Sequence, residues 1–360
     1  MKSNALVYSE NEFGKLDGKV ANGLARHSEK YNILGIIDST KAGLDAGEYL
    51  DGEKTGIPIF LNIDDAINRL RLVPEYFIYG IAPLASFLDD EQKEIIFSAM
   101  KKGMNIVNGL PEFFTDDEEY RQKASEYGVR IFDIRKPPPR KDLHIFTGQI
   151  KKVKVPVITV FGTDCAVGKR TTTVNLVDAL RKEGLKAAFI ATGQTGILQG
   201  SKYGLAIDVL TSGFATGEVE NAILDAYETD NPDIIVVEGQ GALSHPAFTS
   251  SSAILRGAMP NAIILQHPPK RKNHCDYSSI PMPTLESEIE LIEVFSKSKV
   301  IAITINHEDM TDEELESTIM EYEYKYELPT TDVLKHGCDK LINKLFEVFP
   351  ELQKQTVWAD

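Results

Sequence analysis

The sequence predicts an α/β protein, with an N-terminal Rossmann-like domain followed by a P-loop NTPase-like domain built on a parallel sheet. Three observations predict it. Short apolar strands alternate with amphipathic helical stretches, the pattern of a doubly wound parallel sheet. A basic, Pro-rich break, Lys136-Pro137-Pro138-Pro139-Arg140-Lys141, interrupts that alternation, since it can continue neither a helix nor a central strand. Beyond the break, a Gly-rich turn at 162–172 follows an apolar run and opens a helical pattern. At 360 residues the chain exceeds the size at which a single core usually stops growing, so two domains are expected, 1–140 and 150–360, with the boundary inside 136–155.

Taken in order, strands are expected at 4–9, 31–38, 76–82, 104–109 and 129–135, with a helix over 90–103 that ends on a glycine. After the break, the near-continuous apolar run 155–162 reads as a buried parallel strand. Further strands are expected at 186–193, 232–239, 261–267 and 298–306, separated by helices over 170–184, 217–230, 284–298 and 312–327. The acidic run from Glu308 to Glu323 reads as a solvated helix face.

Composition narrows the function classes. A formal charge of −15 argues against a nucleic-acid partner, because backbone binding needs a broad basic face. No apolar run approaches the roughly 20 residues that span a bilayer, so no membrane partner is expected. The first residues carry no signal-peptide pattern, and three scattered cysteines (Cys165, Cys275, Cys338) make no disulfide framework. A cytoplasmic location is expected, and a homo-oligomer is left open.

The strongest chemical signal is Phe161–Thr172, FGTDCAVGKRTT. A strand that gives way to a helix through such a turn lets backbone N–H groups curl around an anion, adds the helix dipole, and brings a lysine to the outer phosphates. Gly162, Thr163, Asp164, Gly168, Lys169, Arg170, Thr171 and Thr172 are therefore the expected cofactor-binding residues. Two departures stand out. Five residues rather than four separate Gly162 from Gly168, and Arg170 occupies the position usually given to a Mg²⁺-ligating hydroxyl. A hydroxyl from Thr171 or Thr172 is then left to hold Mg²⁺, with Thr171 taken as the metal candidate. The plain alternative is a Gly-rich turn with a surface lysine.

Glu238 ends the run IIVVE before Gly239-Gln240-Gly241, the place where P-loop proteins set a metal-binding or water-ordering carboxylate. It is the second metal candidate and a catalytic one. Gly193, Gln194 and Thr195 follow another strand end and suit close ligand contact, and Asn306 ends a fourth strand where an amide can read a purine edge. His245 and His267 fall just past strand ends as candidate general acid–base groups, although a lone histidine is more often an ordinary loop residue. Lys270-Arg271-Lys272 reads as a solvated loop, or as a neutraliser of a second phosphate. Cys165 is either a thiol activated beside Lys169 or a small filler. In the N-terminal domain Asp38 ends a strand as ribose-binding acids do, but Gly14–Gly18 is not a GxGxxG fingerprint.

The segments FGTDCAVGKRTT, FIATGQTGIL, VVEGQGALSHP, ITINHEDM and LPTTDVLKHG, with RKPPPR before them, resemble the D-glutamate N-acetyltransferase-like (DgcN-like) family, formerly a family of unknown function. The resemblance runs over nearly the whole chain. It implies a Rossmann-like domain joined to a P-loop domain, and transfer of acetyl from acetyl-CoA to the amino group of D-glutamate or a related amino acid. More distantly, the loop and the VVEGQGA segment are similar to dethiobiotin synthetase, an ATP-dependent ligase. That likeness implies phosphate contact by Lys169, Mg²⁺ at Glu238 and a base near Asn306. Three functions are thus carried forward: an N-acetyltransferase using acetyl-CoA, an ATP- and Mg²⁺-dependent kinase or ligase, and a nucleotide-sensing regulator without turnover. The substrate expected in either enzyme is a small amino acid.

Overall fold

The structure is a computed structural model that describes residues 2–83 and 88–353; Met1, 84–87 and 354–360, which fall within the two expected domain ranges, lie outside the described residues. The chain divides into two units, one running to Pro138 and including Gly193–Ser201, the other formed by Pro139–Thr192 and the chain from Lys202 onward.

In the first unit, β1 (Ser3–Tyr8), β2 (Tyr31–Ile37), β3 (Ile59–Phe60), β4 (Tyr76–Tyr79), β5 (Asn105–Asn108) and β6 (Ile131–Asp133) form one parallel sheet in the order β3-β2-β1-β4-β5-β6. That is the Rossmann order, with the sequence of strand addition reversing between β1 and β4 while all strands stay parallel. Side chains alternate between its two faces: Leu6, Tyr8, Phe77 and Tyr79 pack in one core and Ala5, Val7, Ile36 and Ile78 in another. The sequence did not signal β3, which is two residues long and follows Pro58. Asp38, at the ribose-acid position, spends its carboxylate locally: it accepts from the Phe13 amide at 3.2 Å, the Thr40 hydroxyl at 2.6 Å and the Lys41 ammonium at 2.8 Å.

The second unit holds β7 (Val157–Gly162), β8 (Ala187–Ala191), β9 (Tyr203–Gly204), β10 (Ile234–Glu238), β11 (Ala262–His267), a hairpin of β12 (Asn273–His274) and β13 (Tyr277–Pro281), β14 (Lys299–Ile305) and β15 (Thr330–Thr331). Its parallel sheet runs β15-β14-β11-β7-β10-β8-β9, so the strand that feeds the Gly-rich turn lies at the centre. Phe161, Ile235, Val237, Ile263 and Leu265 pack on one face; Ile158, Val160, Ile234, Val236 and Ile264 pack on the other. Burial on both faces explains the unbroken apolar runs, each such side chain contributing roughly 2 kcal/mol.

The helix Ser212–Asp230 begins five residues before the expected 217, through Gly213 and Gly217. A Cβ on Gly217 would lie 2.3 Å from the His144 carbonyl, so the glycine lets the chain after the Pro-rich break cross the helix. The buried Glu220 carboxylate on that helix then ties the segment down, accepting from the Thr147 amide at 2.6 Å and the Ile150 amide at 2.9 Å.

Candidate functional site

The Gly-rich turn leaves β7 between β10 and β11 and enters the helix Lys169–Lys182. That helix buries Thr172, Thr173, Leu176, Val177 and Leu180, the face that helical spacing selects, which fixes its N-terminus over the strand end. Gly168 adopts φ 103°, a conformation costly to residues with a Cβ. A Cβ on Gly162 would sit 2.7 Å from Val167 and 3.1 Å from the Lys169 stem, so this glycine lets the turn fold back on its own strand.

Lys169 is 6% exposed, which rules out the plain alternative of a surface lysine. Its ammonium donates to the Asp164 carbonyl at 2.5 Å. Burial pushes its pKa down, against the attraction of Cys165, Asp164 and Glu238 around it. A cation with one backbone partner in a desolvated turn is strongly disposed to take an anion.

The three threonines after the lysine diverge. Thr172 gives its hydroxyl to Gln266 Oε1 at 2.5 Å, and Thr173 gives its own to the Lys169 carbonyl at 2.8 Å. With Arg170 in the usual hydroxyl position, Thr171 is the remaining hydroxyl for a Mg²⁺ ion. Glu238, the other metal candidate, is buried at the carboxyl end of β10; it accepts from the Thr192 amide at 3.2 Å, and its carbonyl accepts from the Thr192 hydroxyl at 2.9 Å. The fit to a metal held as in common P-loops is therefore poor on the loop side.

Asp164 is fully buried and faces inward from the turn. Oδ2 accepts from Arg271 Nη1 at 2.9 Å and the Cys275 amide at 2.8 Å; Oδ1 meets His274 Nδ1 at 2.7 Å. Burial pushes this carboxyl's pKa up, but the His274, Cys275 and Arg271 hydrogen bonds outweigh it and hold it below the usual range. Arg271 also donates to the Cys165 carbonyl at 2.8 Å and pairs with Glu308 at 2.6 Å. The expectation of a solvated Lys270–Lys272 loop thus fails at its central residue, whose side chain is 12% exposed and clamps the turn.

His267 ends β11, and its Nδ1 meets the Thr163 hydroxyl at 2.8 Å. Burial, helped by the nearby Arg271, pushes its pKa down to about 4, so the ring is neutral at neutral pH. The His245 side chain is buried, stacked on Phe248 and edge-on to His274, and its Nδ1 accepts from the Ala247 amide at 3.2 Å. Glu288 holds the preceding turn, its carboxylate accepting from the Leu243 amide at 2.5 Å and the Ser244 hydroxyl at 2.6 Å.

Thr163, Asp164, Lys169, His245 and His267 are therefore drawn together, with Glu238 beside them in the same sheet. Asn306 turns its amide oxygen to its own chain, accepting from the Glu308 amide at 3.1 Å. Gly193, Gln194 and Thr195 lie in the segment grouped with the first unit, where Gly193 precedes the short helix Gln194–Gln199 and Gln199 donates to the Gly23 carbonyl at 2.8 Å. His274, Gln266 and Glu288 were not singled out by sequence, and Arg271 was read only as part of a basic run. Gln266, a lone amide in the apolar run AIILQH, carried the one usable signal, since a polar group in a buried strand must find partners.

A Rossmann-like unit joined to a unit whose central strand feeds a lysine-bearing anion loop defines a two-domain P-loop protein. The chain belongs to the DUF1611 family: the family's P-loop domain of unknown function matches residues 144–342, and its Rossmann-like N-terminal domain matches 39–137. A D-glutamate N-acetyltransferase of a Pseudoalteromonas species is 32% identical over 291 residues, 79% of this chain and 85% of that one. A protein of the same name from Tritonibacter scottomollicae is 28% identical over 277 residues, 75% of this chain and 81% of that one. The crystal structure of a DUF1611 family protein from Anabaena variabilis, 27% identical, superposes with a TM-score of 0.88 over 96% of this chain and all of that one.

Proposed function

We propose that this protein is an N-acetyltransferase that moves acetyl from acetyl-CoA to the amino group of D-glutamate or a closely related amino acid. The observation that carries the reading is the loop itself. It offers a buried lysine and a helix N-terminus to an anion, while Arg170 replaces the metal-ligating hydroxyl and Thr172 is tied to Gln266. Such a loop suits the pyrophosphate of CoA, which needs charge but no Mg²⁺, with Arg170 supplying the second cation. The names of the two relatives support the same chemistry.

The chemical task is small. The acceptor's ammonium must lose a proton, the amine nitrogen must bond to the thioester carbon, and the C–S bond must break. Glu238 is the base in this reading, because a carboxylate both holds an ammonium and takes a proton from it, which it passes on to solvent; the attacking nitrogen sheds a second proton as the C–S bond breaks, and that proton goes to the departing thiolate. His267, neutral at working pH, hydrogen-bonds without adding charge.

Release of free thiol from acetyl-CoA, measured on adding D-glutamate and then a panel of L- and D-amino acids, tests the proposal. Thiol release with one of them and N-acetyl product by mass spectrometry is the expected outcome. Mg²⁺-dependent ADP release from ATP would replace it with ligase or kinase chemistry. Tight binding with no product from either cosubstrate would leave a sensor.

A further inference from the structure

We infer that Asp164, His245 and His274 form a binding site for one transition-metal dication of the zinc class, set behind the phosphate loop. Three separate segments bring these residues together: the loop after β7, the turn after β10 and the β12–β13 hairpin. Their ligand atoms lie within 4.8 Å of one another, and all three residues are buried. His274 Nδ1 is 2.7 Å and His245 Nε2 3.7 Å from the same Asp164 oxygen, Oδ1. Ligand atoms around a tetrahedral zinc ion stand about 3.3 Å apart, so the two separations bracket that spacing and small side-chain shifts close the site.

A second observation points the same way. His245 Nε2 is buried on a side chain with no exposed surface, faces this cluster and has no hydrogen-bond partner among the described residues. Buried polar atoms are rarely left so, and a metal ion is one of the few ligands small enough to reach this one. The supporting layer is in place as well. Asp164 Oδ2 is held by Arg271 and the Cys275 amide, which leaves Oδ1 to face the ion. The rings of His245 and His274 pack edge-on at 4.5 Å. Cys165 and Asp276, both part-exposed, form a separate group with His245, their ligand atoms within 4.8 Å of it and of one another, that does not include Asp164 or His274.

Two imidazoles with one carboxylate and a neighbouring thiol select zinc, cobalt or nickel over Mg²⁺ or Ca²⁺. When the ion binds, the His245 proton moves to Nδ1, and the Ala247 amide gives up its 3.2 Å acceptor. The ion then locks the loop carboxylate to the turn and the hairpin. The inference is independent of the acetyl-transfer reading, since it concerns ion binding and not turnover.

Titrating chelator-stripped protein with CoCl₂ tests it by visible absorption. One equivalent of Co²⁺ with the intense d–d bands of tetrahedral coordination is expected, with a sulfur charge-transfer band if Cys165 is the fourth ligand. His245→Asn and His274→Asn should each lose stoichiometric binding while circular dichroism stays native. If either variant fails to fold, the wild-type spectrum still decides. Weak octahedral bands, an adventitious ion only, or undiminished binding in both folded variants would overturn the inference. Co²⁺ binding without thiol release would count against the transferase reading and leave this one standing.

Discussion

Arg271 and Asp164 are 107 positions apart in the chain and meet at 2.9 Å inside the second unit. The guanidinium that holds this carboxylate also holds the Cys165 carbonyl, so one side chain fixes both the direction of Asp164 and the path of the loop. Removing one member of a buried pair strands the other charge, which typically costs about 3–5 kcal/mol. Arg271→Met should therefore lower unfolding stability by about that amount in urea titration. A loss below about 1 kcal/mol would mean that the pair does not shape the loop.

Lys169→Met keeps the length and the apolar stem of the side chain and removes only its charge. The variant is expected to fold, with far-UV circular dichroism unchanged. Affinity for CoA should fall about 100-fold, equivalent to about 2.7 kcal/mol. A thermal-shift series at rising CoA concentration reads the difference, because stabilisation follows ligand occupancy. Equal shifts in the two proteins would place the anion elsewhere.

His267 makes a pH-dependent prediction. The folded ring takes a proton only near pH 4, whereas an unfolded histidine does so near 6.5. Between those values the unfolded chain binds more protons, so this residue's contribution is present above about pH 6.5 and is lost as pH falls toward 4. The gap corresponds to about 3 kcal/mol. His267→Gln should remove that component, so the stability difference between wild type and variant should change across this window. A pH-independent difference would show that the ring is not held neutral.

Glu288 acts at one remove. It binds the Leu243 amide and the Ser244 hydroxyl, and through that turn it positions His245. Burial pushes its pKa up against those hydrogen bonds. Glu288→Gln is expected to cost about 1–3 kcal/mol of stability by leaving one amide poorly paired. In thiol-release kinetics kcat should fall more than KM rises, because the ring shifts while the loop remains. A change confined to KM would contradict a positioning role.

Much of the fold was legible because parallel strands buried on both faces write themselves as apolar runs. VPVITVFG, PDIIVVEG and NAIILQH were each readable alone, and each lies in the central sheet. The two-residue β3 and β15 were not, since so short a strand has no periodicity. In the site, the Lys169 loop was legible because consecutive residues carry it. Asp164 meets Arg271 and His274 across more than a hundred positions, and Glu288 meets Leu243 across 45, and no local spacing encodes that. Arg271 misled for a physical reason: flanked by Lys270 and Lys272 it looks like a solvated charge run, yet only its neighbours face water.

The central claim is that the Lys169 loop binds the pyrophosphate of CoA without a metal. Calorimetric titration of the wild-type protein with CoA in Mg²⁺-free buffer measures this directly. One site per chain, with an affinity that added Mg²⁺ leaves unchanged, is the predicted result. Heat released only when Mg²⁺ and ATP are present together, and none with CoA, would contradict it.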